Sequence, residues 1–177
     1  MYTNAHYKFN HKITMHPTDK LPLENGAAIY LTPCPGTKGL ALRETIKQFA
    51  EQGIKGLVSL TPKPEMAKLG VADMPQICSE LGIAWFYAPI DDHQAPSNEF
   101  DIEWPSQKDQ VHAILDKQQG VALHCMGGQG RTGTIAAQLL IERGRDYEQA
   151  RAEVKAVKPG ALTIEKQTDY LKALAAK

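Results

Sequence analysis

The sequence predicts an α/β fold with a mostly parallel central sheet flanked by helices. Three observations carry that expectation. Short apolar runs rich in β-branched and aromatic residues alternate with longer stretches of helical period. Glycines and prolines punctuate the boundaries between them. The last stretches, beyond residue 131, are all helical, so helices close the C-terminus.

Ala27–Leu31 (AAIYL) reads as the first strand, ended by Pro33, Pro35 and Gly36. Leu42–Gln52 reads as a helix stopped by Gly53. Gly56–Leu60 (GLVSL) is the next strand, and Met74–Leu81 a helix with Gly82 after it. Ile83–Ala88 (IAWFYA) has strand composition. Glu103–Gln119 carries Val111, Ile114 and Leu115 at helical spacing. Val121–His124 (VALH) is a short buried strand, and Arg131–Arg143 is a helix that stops at Gly144. Residues 146–157 and 164–176 form two further helices, separated by Pro159-Gly160. Residues 1–20 are polar and read as a loosely packed N-terminal tail, leaving one domain over 21–177. His6, His11 and His16 lie five apart, about 500° along a helix, so they do not share a face as metal ligands would.

A chain of 177 residues suits one domain with a real core. Apolar residues make up 42 % and charged residues 23 %, which argues against disorder. The formal net charge is zero, from 20 basic and 20 acidic residues. That balance excludes a general nucleic-acid or membrane-surface binder. No apolar run is long enough to span a membrane, and the N-terminus has no apolar signal core. Three scattered cysteines, Cys34, Cys78 and Cys125, are too few for a disulfide scaffold or a Cys-rich zinc site. The expected compartment is the reducing cytoplasm.

The chemistry is concentrated between His124 and Gly133. These ten residues hold one thiol, one guanidinium and four glycines, between a strand and a helix. Loop amides and a helix N-terminus together build an anion cradle. The field that binds a dianion also stabilises a thiolate at Cys125. Five residues separate Cys125 from Arg131, enough to wrap one phosphate. Met126, Gly127, Gly128, Gln129, Gly130 and Arg131 are the phosphate-binding candidates. Arg131 offers the planar fork that takes two oxygens, which lysine lacks. Thr132 can donate a hydrogen bond to the sulfur. Gly128, Gly130 and Gly133 also spell a dinucleotide-binding pattern, but only helices follow where that fold needs further strands. An inert buried cysteine would leave the glycines and His124 without a reason.

His-Cys-Met-Gly-Gly-Gln-Gly-Arg-Thr at 124–132 resembles the H-C-x-x-G-x-x-R-[S/T] signature of the cysteine-based protein tyrosine phosphatases. Over roughly residues 27–174 the chain is similar to the dual-specificity type, in its cyclin-dependent kinase-associated branch. Pro33 to Lys38, the strand at 56–60, Pro89-Ile90-Asp91-Asp92 with Pro96, and Ala161 to Leu171 fall in similar order.

The resemblance implies a phosphoprotein phosphatase acting on phosphotyrosine, with phosphoserine and phosphothreonine left open, through a phosphocysteine intermediate. Cys125 is the implied nucleophile, Arg131 the phosphate clamp and His124 a support that holds the loop. The family's P-I-x-D-x-x-x-P pattern selects Asp92 as the acid that protonates the leaving oxygen. Asp91 then reads as a loop or solvated residue, and His93 as solvated. Gln167 falls in a partly matching stretch, where it either packs on the loop or orients water, or is simply a surface glutamine of the last helix. Trp85 and Trp104 read as packing residues. No metal and no organic cofactor is implied. The partners implied are a phosphorylated protein or peptide, with phosphate, sulfate or vanadate as occupants of the loop, and neither nucleic acid nor membrane. Lysines that would meet extra phosphates on a phosphoinositide are missing from Met126, Gly127, Gln129 and Gly130. A phosphopeptide-binding pseudoenzyme is the competing class, and the joint presence of Cys125, Arg131 and Asp92 argues against it.

Overall fold

A computed structural model describes residues 14–177. Five strands form one sheet: β1 (Asp19–Pro22), β2 (Ala28–Thr32), β3 (Ile54–Ser59), β4 (Ala84–Tyr87) and β5 (Gly120–His124). Their order across the sheet is β1-β2-β5-β3-β4, parallel throughout except for β1 at the edge. The expected mostly parallel sheet is therefore present. The helices are α1 (Leu42–Glu51), α2 (Lys63–Lys68), α3 (Met74–Glu80), α4 (Glu99–Asp116), α5 (Gly130–Glu142), α6 (Tyr147–Val157) and α7 (Glu165–Ala175).

Strand alternation sends side chains to two cores, one on each face. Ile29, Leu31, Val58, Val121 and Leu123 pack with Trp104, Leu115, Ile135, Leu139 and Leu171 of α4, α5 and α7. Ala28, Tyr30, Leu57 and Ala122 pack with Ile46, Phe49, Met66 and Met74 of α1, α2 and α3. β2 and β5 are buried along their whole length, as central parallel strands covered on both faces must be.

Three local features depart from expectation. β1 hides in a polar sequence, DKLP, because an edge strand needs only one inward residue, Leu21. α2 is six residues with one buried side chain, Met66, too short for a periodic signal. α4 starts at Glu99 rather than Glu103 and runs through Pro105. Phe100 and Trp104 stack with centroids 5.7 Å apart and both bury, which holds the first turns despite the missing proline N–H.

The polar segment read as a tail is described from residue 14 onward and is anchored at His16, whereas His6 and His11 lie outside the described residues. His16 is buried at 2 % exposure. Its backbone N–H donates to Gln48 Oε1, and Gln48 Nε2 donates back to the His16 carbonyl, both at 2.9 Å. Its Nε2 lies 2.8 Å from Thr32 Oγ1 and 3.1 Å from the Pro33 carbonyl. Two-way pairing with an internal glutamine brings this segment into the domain.

Candidate active site

The register of the sheet sets the site. His124, the last residue of β5, is paired with Thr32 on one side and Ser59 on the other. The chain then turns at Cys125–Gln129 into α5 at Gly130. Gly128 sits at φ +77°, in the left-handed region. A Cβ there would lie 2.6 Å from Pro33 N and the Thr32 carbonyl carbon. Only glycine lets the loop close so tightly on the end of β2. The Cys34 N–H donates to the Met126 carbonyl at 3.0 Å and ties the loop to the 33–38 segment.

Cys125 Sγ accepts from the Gly128 N–H at 3.2 Å and from the Thr132 hydroxyl at 3.1 Å. Both donors aim partial positive charge at the sulfur. Burial pushes the other two thiols, Cys34 and Cys78, up to about 12, so they stay protonated.

Arg131 is 2 % exposed, and its fork is held from behind. Nη1 donates to Glu65 Oε2 and to the Ile90 carbonyl, both at 3.0 Å, and Nη2 donates to Glu65 Oε1 at 3.1 Å. That takes three of the five N–H groups and leaves Nε–H and one Nη2–H for an oxyanion. Burial alone would lower the Arg131 pKa, but the bonds and charge of Glu65, with the charges of Cys125 and Asp92, raise it, so the guanidinium stays charged. Glu65 was missed at the sequence level. It lies 66 residues from its partner on the short α2, and no local pattern announces it.

A cleft of about 230 Å³ collects Asp92, Cys125, Met126, Gly127, Gln129, Gly130, Arg131 and Gln167, with His93 and Ile164 at its sides. Asp92 Oδ1 lies 3.6 Å from Arg131 Nη2, and its Oδ2 lies 3.4 Å from His93 Nδ1. Asp91 lines a different hollow, with Pro62, Pro89 and Ser97. His93, exposed as expected, nevertheless borders the cleft and has φ +63°. Gln167 is fully buried, and its Nε2 donates to the Gln94 carbonyl at 3.0 Å, tying α7 to the Asp92 loop. Its Oε1 is buried with no hydrogen-bond partner among the described residues.

A family model described as "Polymorphic toxin system, DSP-PTPase phosphatase" matches residues 35–145. This chain belongs to that phosphatase family. The phosphatase is also similar to rat "Cyclin-dependent kinase inhibitor 3", 26 % identical over 148 residues, covering 80 % of this chain and 68 % of the relative. Mouse "Protein tyrosine phosphatase type IVA 2" is 30 % identical over 118 residues, covering 60 % of this chain and 68 % of the relative. Among solved structures, a kinase associated phosphatase with its catalytic cysteine changed to serine superposes at a TM-score of 0.79, with 20 % identity and coverage of 93 % and 97 % of the two chains. Tk-PTP in its active form superposes at 0.70, with 22 % identity and coverage of 90 % and 97 %. PTPMT1 in complex with PI(5)P superposes at 0.69, with 15 % identity and coverage of 84 % and 90 %. The expected fold and family are therefore correct, and the phosphatase is a cysteine-dependent enzyme of the dual-specificity type.

The remaining supports of the phosphatase site are polar and deep. His124 is fully buried between its neighbours, with Nδ1 3.1 Å from the Cys125 carbonyl and Nε2 2.6 Å from Ser59 Oγ. Burial, with Arg131 and His16 nearby, lowers its pKa to about 4, against a smaller opposing effect of the Cys125 carbonyl. The imidazole is neutral at pH 7. Among the described residues, no group of three or more His, Cys, Asp or Glu side chains is placed to hold a metal ion.

Proposed function

We propose that this phosphatase hydrolyses phosphoprotein monoesters in two steps through Cys125. In the first step the Cys125 sulfur attacks phosphorus in line, forming an S–P bond as the P–O bond to the substrate breaks. The free edge of Arg131 and the loop amides of 126–131 take the equatorial oxygens. Asp92 gives its proton to the leaving oxygen. In the second step water attacks the phosphocysteine, the Asp92 carboxylate takes the proton, and the S–P bond breaks to release phosphate. The Thr132 hydroxyl, 3.1 Å from Sγ, stabilises the departing thiolate. The unpartnered Oε1 of Gln167 is an acceptor suited to orient that water.

The observation that carries the reading is the pairing of two halves of one cradle. Two donors converge on Sγ, and a buried arginine fork, braced by Glu65, lines the same cleft with its Nε–H and one Nη2–H not used by Glu65 or Ile90. The absence of lysine at Met126, Gly127, Gln129 and Gly130 favours phosphoprotein over phosphoinositide substrates. The compartment proposed is the cytoplasm. Among the described residues no helix is long and apolar enough to cross a membrane.

Turnover of an aryl phosphate with EDTA present, compared between wild type and Cys125→Ser, tests the mechanism. Wild type is expected to turn over without metal, and the variant to retain less than about 1 %, because a serine hydroxyl is scarcely ionised in this field. Residual turnover above that in pure variant, or loss of wild-type activity on chelation, overturns the reading. A panel of phosphopeptides and phosphoinositides decides the substrate class.

A further inference from the structure

His124 needs a fixed tautomer. Its Nδ1 faces a carbonyl oxygen, that of Cys125, at 3.1 Å. A bare ring nitrogen there would set two lone pairs against each other, so the proton of the neutral ring belongs on Nδ1. Nε2 is then the acceptor, and it is fully buried, so it requires a donor. The only group bonded to it among the described residues is Ser59 Oγ, at 2.6 Å. Ser59 in turn accepts from the indole of Trp85, whose Nε1–H can only donate, at 2.8 Å. Met74 Sδ, 3.5 Å from Ser59 Oγ, is the weak alternative acceptor for the serine proton.

We propose that Ser59 and Trp85 are positioning residues, which lock His124 in its Nδ1–H tautomer and thereby hold the Cys125 carbonyl out of the phosphate cradle. The chain runs Trp85 Nε1–H to Ser59 Oγ, Ser59 O–H to His124 Nε2, and His124 Nδ1–H to the Cys125 carbonyl. It crosses three neighbouring strands, β4, β3 and β5, in a single line of donors. The peptide after Cys125 is the part of the loop this line controls. If that peptide turns, its carbonyl swings a negative end toward the oxygens of the transferring phosphoryl group. The loss therefore falls on the transition state more than on ground-state binding. Arg131 and His16 are the charged or titratable groups that bear on the His124 ring. They disfavour a second proton but do not choose between the two nitrogens. The Cys125 carbonyl at Nδ1 and the Ser59 hydroxyl at Nε2, its oxygen engaged by Trp85, make that choice together.

The inference rests on Cys125 being the nucleophile, and its test is separable from the test of that role. Wild type, Ser59→Ala, Trp85→Phe and the double variant are compared in kcat and KM on an aryl phosphate, and thermal midpoints establish that each is folded. The side-chain ¹⁵N resonances of His124 are read in each. Wild type should show the Nδ1–H tautomer. Ser59→Ala should show a mixture and lose roughly 10-fold in kcat, with KM within about 2-fold, the pattern of a misplaced transition-state group. Trp85→Phe should lose about 3-fold, and the double variant should match Ser59→Ala, because both changes act through one bond. An Nε2–H tautomer in wild type, a Ser59→Ala kcat within 2-fold of wild type, or a double variant equal to the product of the singles overturns the proposal. If Ser59→Ala does not fold, Trp85→Phe decides alone: unchanged kcat and an unchanged tautomer overturn it. Loss of the nucleophile assignment would appear separately, as turnover in Cys125→Ser.

Discussion

Gly128→Ala and Gly127→Ala add the same methyl group to adjacent residues of the cradle, and the structure assigns them opposite outcomes. At Gly128 the new Cβ would stand 2.6 Å from Pro33 N, 2.6 Å from the Thr32 carbonyl carbon and 2.8 Å from its oxygen. All three are backbone atoms, so no side chain can swing aside. The φ of +77° adds a left-handed penalty of about 1–2 kcal/mol for any residue with a Cβ. Overpacking against rigid backbone adds about 1–3 kcal/mol. The sum, about 2–5 kcal/mol, is a large part of the total stability of an ordinary domain. At Gly127 the added Cβ meets nothing within 4 Å, and φ lies outside the left-handed region. Its substitution should change stability by less than about 1 kcal/mol. Urea unfolding followed by tryptophan fluorescence reads both. The Gly128 variant should also lose about 100-fold in kcat/KM, because relieving the clash moves the N–H that donates to Sγ. Equal unfolding midpoints for the two variants, or a stable and fully active Gly128→Ala, would refute the reasoning.

Asp92→Asn should slow hydrolysis of a phosphotyrosine peptide by about 10²–10⁴, and an aryl phosphate with a very acidic phenol much less, whereas Asp91→Asn should show no such leaving-group dependence; the reverse pattern would move the acid by one residue. Glu65→Gln removes the charge that braces Arg131 and should lower kcat/KM by roughly 10–100-fold with the fold retained, measured beside its thermal midpoint. For His124 the folded value near 4 lies below the ordinary 6.5 of a free imidazole, so the unfolded chain binds the extra proton. Its stability contribution is complete above about pH 6.5 and is lost as pH falls toward 4, amounting to about 2 kcal/mol by pH 5. The lowered pKa of His16, from burial first, acts in the same direction. Urea midpoints at pH 7.5 and pH 5 check this, and equal values would contradict it.

Chemistry that the chain keeps local is legible in the sequence. The cradle could be read because Cys125, the four glycines, Arg131 and Thr132 fall within nine consecutive residues between a strand and a helix. Strand and helix periods predicted the layered sheet, since central parallel strands bury on both faces and read as apolar runs. Asp92 was selected over Asp91 by the resemblance to the family's P-I-x-D-x-x-x-P pattern, and it lines the cleft while Asp91 does not. The partners of these residues come from the tertiary fold alone. Glu65 reaches Arg131 across 66 positions, Ser59 reaches His124 across 65, and Gln167 reaches the Gln94 carbonyl across 73. His16, which read as part of a tail, turned out to be bonded beside Thr32 and Pro33 under the loop. A hydrogen bond between distant side chains leaves no periodicity and no local composition behind. Its geometry exists only once the sheet register has set Thr32, His124 and Ser59 side by side.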